Sequence, residues 1–272
     1  MCEEAVKDKK TTERDDKAVV EGAATALADR MLLPLLVAGA LLASLGFVLA
    51  FTTAPLVVGA EADVPALIGG QMVTHKLLLS QKIFFFHVPV AVVSFIGLFV
   101  MALYGLRFLR QRDQIYDLKA MVAAEIALLF IVMTMLSGEL WERFEWGVWW
   151  TWEPRLTTYL ILMLLVIAYF ILRAGIDDPE RRAVFASAFG AIAFVDGLIS
   201  LAVTRLIPAG AHPVVFRTDS GLPPAMLVPF ILTLLGMLLV AFGLYRFRLR
   251  ERRLHQQLDE LKASYENQKG MH

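Results

Sequence analysis

The sequence predicts an all-α, polytopic membrane protein with six transmembrane helices and both termini on the cytoplasmic side. Two observations predict this fold class. Hydrophobic residues make up 58% of the 272-residue chain and its mean hydropathy is +0.62, which is far more apolar than a soluble domain. Lysine and arginine also cluster after every second apolar segment, as the positive-inside rule expects of cytoplasmic loops.

Six segments are long and apolar enough to cross a bilayer, because a hydrocarbon core about 30 Å thick requires about 20 residues of α-helix. The fourth segment is short and is expected to take its first turn from Arg155, Leu156 and Thr157. The predicted segments are 31–51, 83–106, 120–137, 158–172, 184–204 and 225–245.

The basic residues predict the orientation of the chain. Because cytoplasmic loops retain positive charge, the connections after the second, fourth and sixth segments are expected inside. The connections 52–82, 138–157 and 205–224 then face outward. The basic residues are Arg107, Arg110, Arg112 and Lys119 after the second segment, Arg173, Arg181 and Arg182 after the fourth, and Arg246, Arg248, Arg250, Arg252 and Arg253 after the sixth.

Polar extensions flank the predicted membrane domain, which spans 31–246. Residues 1–30 are too polar, and too long before the first apolar run, for a cleaved signal peptide. They are expected to form a disordered or partly helical cytoplasmic extension. The basic tail 247–272 has apolar residues at helical spacings of four, three and four, which favours a solvated extension of the sixth helix over a partner-binding coiled coil because the seam is short. The seam residues are Leu254, Leu258, Leu261 and Tyr265.

Charge and cysteine content narrow the function classes. The formal net charge is zero, so no bulk field supports nucleic-acid binding. Cys2 is the single cysteine, which excludes an intrachain disulfide, a CxxC redox pair and a CxxCH site for covalent haem attachment.

All five tryptophans lie between Trp141 and Trp152, in the outer connection 138–157. Tryptophan combines a broad π-face with one N–H donor, which suits either a membrane interface or a planar aromatic ligand. Five tryptophans in so short a stretch exceed what an aromatic belt needs at one helix end, so the cluster favours the planar ligand.

Histidines on the outer side are candidate metal ligands. His87 lies at the outer end of the second segment, where a polar side chain is costly and tends to be retained for function. His212 lies in the third outer connection, and two neutral imidazoles are a common axial pair for haem iron. A histidine bonded to backbone or water is equally compatible with His87 and is favoured for His212 taken alone. His75 is a weaker third candidate, and His255 and His272, both in the tail, indicate no site.

Two arginines, Arg143 and Arg155, bracket the tryptophan stretch. Cations here would suit a ligand that carries propionate carboxylates. Pairing with nearby glutamates explains them equally well, and Arg155 is also placed to extend into the lipid headgroups. The sequence leaves these alternatives open; the glutamates are Glu139, Glu142, Glu145 and Glu153.

The stretch WGVWWTWEPRLT closely resembles the signature WGxWWxWDxRLT of the haem-handling membrane proteins of cytochrome c biogenesis, and the segment FFHVPVA supports the same resemblance. The similarity is to the CcmC branch and covers about residues 31–250. It implies a haem-binding protein of the bacterial inner membrane that presents haem at the periplasmic face. The chain differs at Glu153, where the family usually has Asp, and in VTRLIPAGAHP before His212, which is less aromatic than in the family.

The resemblance also implies a set of site residues. It assigns His87 and His212 as axial ligands of haem b, held non-covalently as transient cargo. It places the haem against the tryptophan stretch with a cation near a propionate. The remaining residues so assigned are Trp146, Trp149, Trp150, Trp152, Glu153, Arg143 and Arg155.

The implied activity is delivery, with no bond made or broken by this chain. A periplasmic haem chaperone similar to CcmE would accept the haem, and ABC-type transporter subunits and a small membrane accessory protein would complete the assembly. One alternative is a subunit of a cytochrome c haem lyase or synthetase, whose members generally carry more spans and large outer domains. Another is a membrane electron-transfer subunit, for which the spans offer no facing pair of histidines, or a solute transporter in which Asp196 supports ion movement. Hydrogen bonding to a neighbouring helix explains Asp196 more simply.

Overall fold

A computed structural model describes residues 30–55, 57–68, 71–207 and 222–269. In this part of the chain six long helices are joined by short connections and one two-stranded sheet. All six are long and apolar enough to cross a membrane, which confirms the predicted six-helix membrane fold, while the cytoplasmic location of both termini stays a prediction. The helices are α1 (Leu32–Thr52), α2 (Phe84–Gln111), α3 (Gln114–Trp146), α4 (Pro154–Ala174), α5 (Pro179–Leu206) and α6 (Pro224–Lys269).

The helices extend beyond the apolar segments because polar capping residues start them earlier. The Asp113 carboxylate accepts the Ile115 N–H at 2.9 Å before α3, and Asp178 accepts the Arg181 N–H at 2.7 Å before α5. Both are standard N-cap contacts. α4 begins at Pro154, so the first turn expected from the three residues after it is confirmed.

The connection 52–82 contains a β-hairpin that the sequence prediction treated as loop. β1 (Val57–Ile68) and β2 (Gln71–Leu78) pair antiparallel, with Val57 opposite Leu78 and Glu61 opposite His75, and a 3₁₀ turn at Leu79–Ile83 leads into α2. The register shifts twice along the pair. This irregularity explains why no clean two-residue alternation marks the strands in the sequence.

The main core lies between α2, α3, α4 and α5. Its buried cluster combines large side chains of α4, such as Leu162 and Val166, with small residues of α3, including Ala124 and Ala127. Small residues let membrane helices approach closely, since lipid provides no hydrophobic force between them. The core therefore fixes the ends of these four helices relative to one another.

The first and last helices form a close pair. A Cβ added at Gly236 of α6 would lie 2.3 Å from the backbone nitrogen of Ala43 in α1, and one at Gly46 would lie 2.5 Å from Thr233 Oγ1. At the end of α1, the buried Lys82 ammonium donates to the Ala50 carbonyl at 2.8 Å and to the Ala54 carbonyl. A cation at the C-terminus of a helix can satisfy the free carbonyls of its last turn. Lys82 therefore links the end of α1 to the start of α2.

The basic tail is helical, as predicted, and continues α6 without a break to Lys269. Near its start, Arg248 and Arg252 bind the Glu125 carboxylate of α3 at 2.6 Å and 2.5 Å. The four seam residues are exposed. Binding of a partner along the seam stays a prediction.

Candidate functional site

His87 lies in the first turns of α2, half-buried against the end of α3. Its Nδ1 is 2.9 Å from the Ser137 hydroxyl. The neighbouring Gly138 leaves room for the ring, because a Cβ at that position would lie 3.2 Å from the His87 Cε1. The imidazole is thus seated in a notch of α3 formed by two small residues.

Arg155 lies on the first turn of α4 and is within electrostatic range of His87. Its other electrostatic neighbours are Tyr159 and Glu153. Arg155 is half-buried. The helix that follows the tryptophan stretch therefore places a cation in the electrostatic environment of the histidine of α2.

A buried polar network joins the same three helices below His87. The Tyr159 hydroxyl of α4 lies 2.9 Å from the Ser94 hydroxyl of α2 and also within hydrogen-bonding reach of Thr134 on α3. Such groups are costly inside a membrane unless they find partners in neighbouring helices. The network therefore specifies how α2, α3 and α4 meet at this end.

The tryptophans divide into an exposed and an inward-facing set. Trp149 and Trp152 are 57% and 77% exposed. Trp150 packs against the main core and meets Trp152 edge to face, with ring centroids 5.7 Å apart. Trp146 ends α3, and its side chain lies outside the described part of the molecule. Among the tryptophan side chains that the structure describes, these two rings are exposed to a flat ligand.

Arg143 sits at the end of α3, where Gly147 adopts a positive φ of 74°. Its guanidinium donates to the Gly147 carbonyl and lies 5.8 Å from the Trp149 ring centroid. It therefore caps the helix and supports an exposed tryptophan.

Two glutamates lie at the two helix ends that the tryptophan stretch joins: Glu142 near the end of α3 and Glu153 at the start of α4. Glu142 is 1% exposed and faces Thr151, with Glu153 close by. Glu153 occupies the N-cap position of α4, but its side chain makes no capping hydrogen bond.

Several sequence candidates are not brought to this site by the described residues. His212 lies outside them, as does the side chain of His75 in β2. His255 is exposed on the tail beside Glu251, at the opposite end of the helices. Asp196 on α5 has a buried Oδ2 with no hydrogen-bond partner in the described part, so the expected bond to a neighbouring helix is not found for that atom.

Sequence reasoning missed Ser137, Gly138 and Tyr159. Serine, glycine and tyrosine are ordinary residues in membrane helices. Only the rotation of α3 shows that Ser137 and Gly138 meet His87, and only that of α4 shows that Tyr159 meets Ser94. Together the site offers an imidazole, exposed aromatic faces and cations. These groups can coordinate a metal, contact a planar ring and pair with carboxylates.

Residues 72–264 match the family model CcmC, described as Heme exporter protein C. Heme exporter protein C of Paracoccus denitrificans (strain Pd 1222) is 27% identical over 179 residues, covering 65% of this chain and 74% of the relative. That of Rhodobacter capsulatus is 30% identical over 181 residues, covering 64% and 74%. That of Escherichia coli (strain K12) is 27% identical over 175 residues, covering 63% and 69%. The matched region includes His87 and the whole tryptophan stretch.

Proposed function

Because the chain belongs to the Heme exporter protein C family, CcmC, we propose that it binds haem at the outer end of its helices and delivers it to a periplasmic haem chaperone. Membership of this family makes the chain a multi-pass membrane protein with a haem-handling role in cytochrome c maturation. The proposal adds the site, the direction of presentation and the acceptor.

The observation that carries the proposal is that His87, seated against the end of α3, is within electrostatic range of Arg155 at the start of α4. The tryptophan stretch joins these two helix ends, and its Trp149 and Trp152 side chains are exposed. Haem needs an axial ligand for iron, flat apolar contact for the porphyrin and cations for two propionates. The described site contains one of each kind of group.

In this proposal the His87 Nε2 coordinates the iron of haem b, and Trp149 and Trp152 contact the porphyrin. Arg155 or Arg143 pairs with a propionate. His212 is proposed as the second axial ligand on the strength of the family resemblance. The haem is held without a covalent bond, since the chain has one cysteine and no CxxCH motif.

We place the site on the periplasmic side of a bacterial inner membrane. The supporting observation is that the basic residues gather at the opposite end of the helices, for example Arg173 at the end of α4 and Arg248 in α6. Positive charge is retained on the cytoplasmic side. Both termini are then cytoplasmic.

The chain acts by presenting the haem, and it forms or breaks no covalent bond of the porphyrin. A chaperone similar to CcmE docks on the outer connections and accepts the cargo, and ABC-type transporter subunits with a small membrane accessory protein complete the assembly. Non-covalent ligation suits this role, because a cargo that must leave is best held by reversible bonds.

The test is haem binding by the detergent-purified protein. We expect the wild type to show a low-spin haem absorption spectrum and His87→Ala to lose most of the haem while retaining its helical circular dichroism. His255→Ala is the matched control, because this histidine is exposed on the tail, and it should bind haem as the wild type does. Full haem occupancy in His87→Ala would exclude His87 as the ligand.

A further inference from the structure

The hydrogen bond between His87 and Ser137 determines which imidazole nitrogen carries the proton. The Ser137 hydroxyl has one hydrogen, and the carbonyls of Met133 and Thr134 lie 2.8 Å and 3.1 Å from its oxygen. Serine in a membrane helix commonly donates to the carbonyl one turn back. The oxygen is then left to accept, and its remaining neighbour is the His87 Nδ1 at 2.9 Å.

The contact with Ser137 also decides which ring nitrogen is left for a metal. Among the described residues, the Ser137 oxygen lies at hydrogen-bond distance from the ring, and it meets Nδ1. A neutral imidazole has one N–H and one lone pair. With the hydrogen on Nδ1, the lone pair is on Nε2 and is free for a metal.

Gly138 controls the position of the same ring. A Cβ at this residue would be 3.2 Å from Cε1 and 3.8 Å from Nδ1 of His87, which is tight enough to push the ring aside. α3 carries both Ser137 and Gly138 and ends at Trp146. The same helix therefore orients the histidine and leads into the tryptophan stretch.

We propose that Ser137 and Gly138 are positioning residues for the haem ligand: Ser137 fixes the Nδ1–H tautomer of His87, and Gly138 fixes the ring orientation that directs Nε2 to the iron. This proposal rests on the proposed function, in which His87 ligates haem. When the N–H of the non-ligating nitrogen donates to an acceptor, a metal-bound imidazole becomes more basic. Loss of that acceptor typically weakens metal binding about 10- to 100-fold.

The first experiment removes the hydroxyl. In the purified full-length protein, Ser137→Ala is expected to raise the dissociation constant for haem about 10- to 100-fold and to shift the midpoint potential of the bound haem to a more positive value, because a less basic imidazole stabilises ferric iron less. Ser187→Ala is the matched control, since this serine of α5 is also buried but has no described hydrogen-bond partner. It should leave both quantities unchanged.

An isosteric pair of variants separates the effect of the Ser137 hydroxyl from the effect of side-chain volume. Ser137→Thr keeps a hydroxyl that can bond to the same backbone carbonyl, whereas Ser137→Val has the same shape without it. We expect the threonine variant to keep the wild-type affinity and potential and the valine variant to behave as Ser137→Ala. Equal losses in both would overturn the tautomer assignment, because they would show that packing alone matters.

The second experiment fills the notch. Gly138→Ala should change the electron paramagnetic resonance g-values of the ferric haem and lower its affinity, because the His87 ring must shift. Gly190→Ala is the control, since a Cβ there meets Met101 Cε at an ordinary 3.5 Å. Unchanged g-values in Gly138→Ala would contradict the positioning role of this glycine.

The His87→Ala variant distinguishes this inference from the proposed function. If His87→Ala loses haem and Ser137→Ala binds it with the wild-type affinity and potential, the positioning role of Ser137 is wrong and the proposed function stands. If His87→Ala keeps its haem, the ligand assignment fails, and the positioning role fails with it.

Discussion

Glu153 illustrates how one methylene group alters a helix start. It stands at the N-cap of α4 without a capping hydrogen bond from its side chain, and the Thr157 N–H and hydroxyl instead bond to its backbone carbonyl, each at 2.9 Å. Aspartate is a preferred N-cap residue because its short side chain reaches the N–H groups of the first turn, and glutamate is not. The first turn of α4, which carries Arg155, is therefore less well capped than an aspartate would make it.

Glu153→Asp should stabilise the protein by about 1 kcal/mol, the usual contribution of a good N-cap side chain. The measurement is unfolding in mixed detergent, followed by helical circular dichroism. The reverse change, Asp178→Glu, removes an existing cap on Arg181 of α5 and should destabilise by a similar amount. No gain from Glu153→Asp, alongside a clear loss from Asp178→Glu, would show that α4 cannot use the shorter side chain.

At the residue scale, the sequence could predict His87 but not the residues that hold it. A histidine within an apolar span is conspicuous, because polar groups are costly there. Ser137 and Gly138 carry no such signal, since small residues are common in membrane helices. Their role depends on the rotation of α3 about its axis, which no spacing along the chain specifies.

At the scale of elements, α3 and α4 are joined by a buried ion pair at the end opposite the tryptophans. Arg173 donates to both oxygens of Asp117, at 2.6 Å and 2.8 Å, and the two side chains are only 9% and 8% exposed. Arg173 also lies over the Tyr169 ring. A two-point bond of this kind fixes the distance and angle between two helices.

Asp117→Asn should destabilise the protein by about 3–5 kcal/mol, because it leaves the Arg173 charge buried without its partner. The same detergent unfolding assay measures this loss in the free energy of unfolding. The control is Glu180→Gln, which breaks an exposed pair with Arg112, 67% and 52% exposed, and should cost no more than about 1 kcal/mol. Similar effects from both variants would mean that the buried pair has no special role in holding α3 to α4.

The apolar segments of the sequence predicted all six helices, because membrane length and hydrophobicity constrain a span strongly. They did not predict the exact first and last residues of the helices. Asp113 and Asp178 extend α3 and α5 through polar turns that hydropathy assigns to loops. The hairpin of β1 and β2 was missed because its register is irregular, so neither face shows regular alternation.

At the scale of the whole molecule, the two ends of the helix bundle differ in chemistry. One end carries His87, Arg155 and the exposed tryptophans, and the other carries ion pairs such as that of Arg248 with Glu125. The distribution of basic residues in the sequence predicted this division. The electrostatic interaction between His87 and Arg155 could not be predicted, since it depends on how three helices pack.

The most direct test of the central claim is the structure of the purified protein with haem bound. We predict that iron is coordinated by the His87 Nε2, that the porphyrin lies against Trp149 and Trp152, and that a propionate is near Arg155 or Arg143. Iron bound to a residue at the other end of the helices, near Glu125 and Arg248, or a haem that makes no contact with His87, would contradict the account.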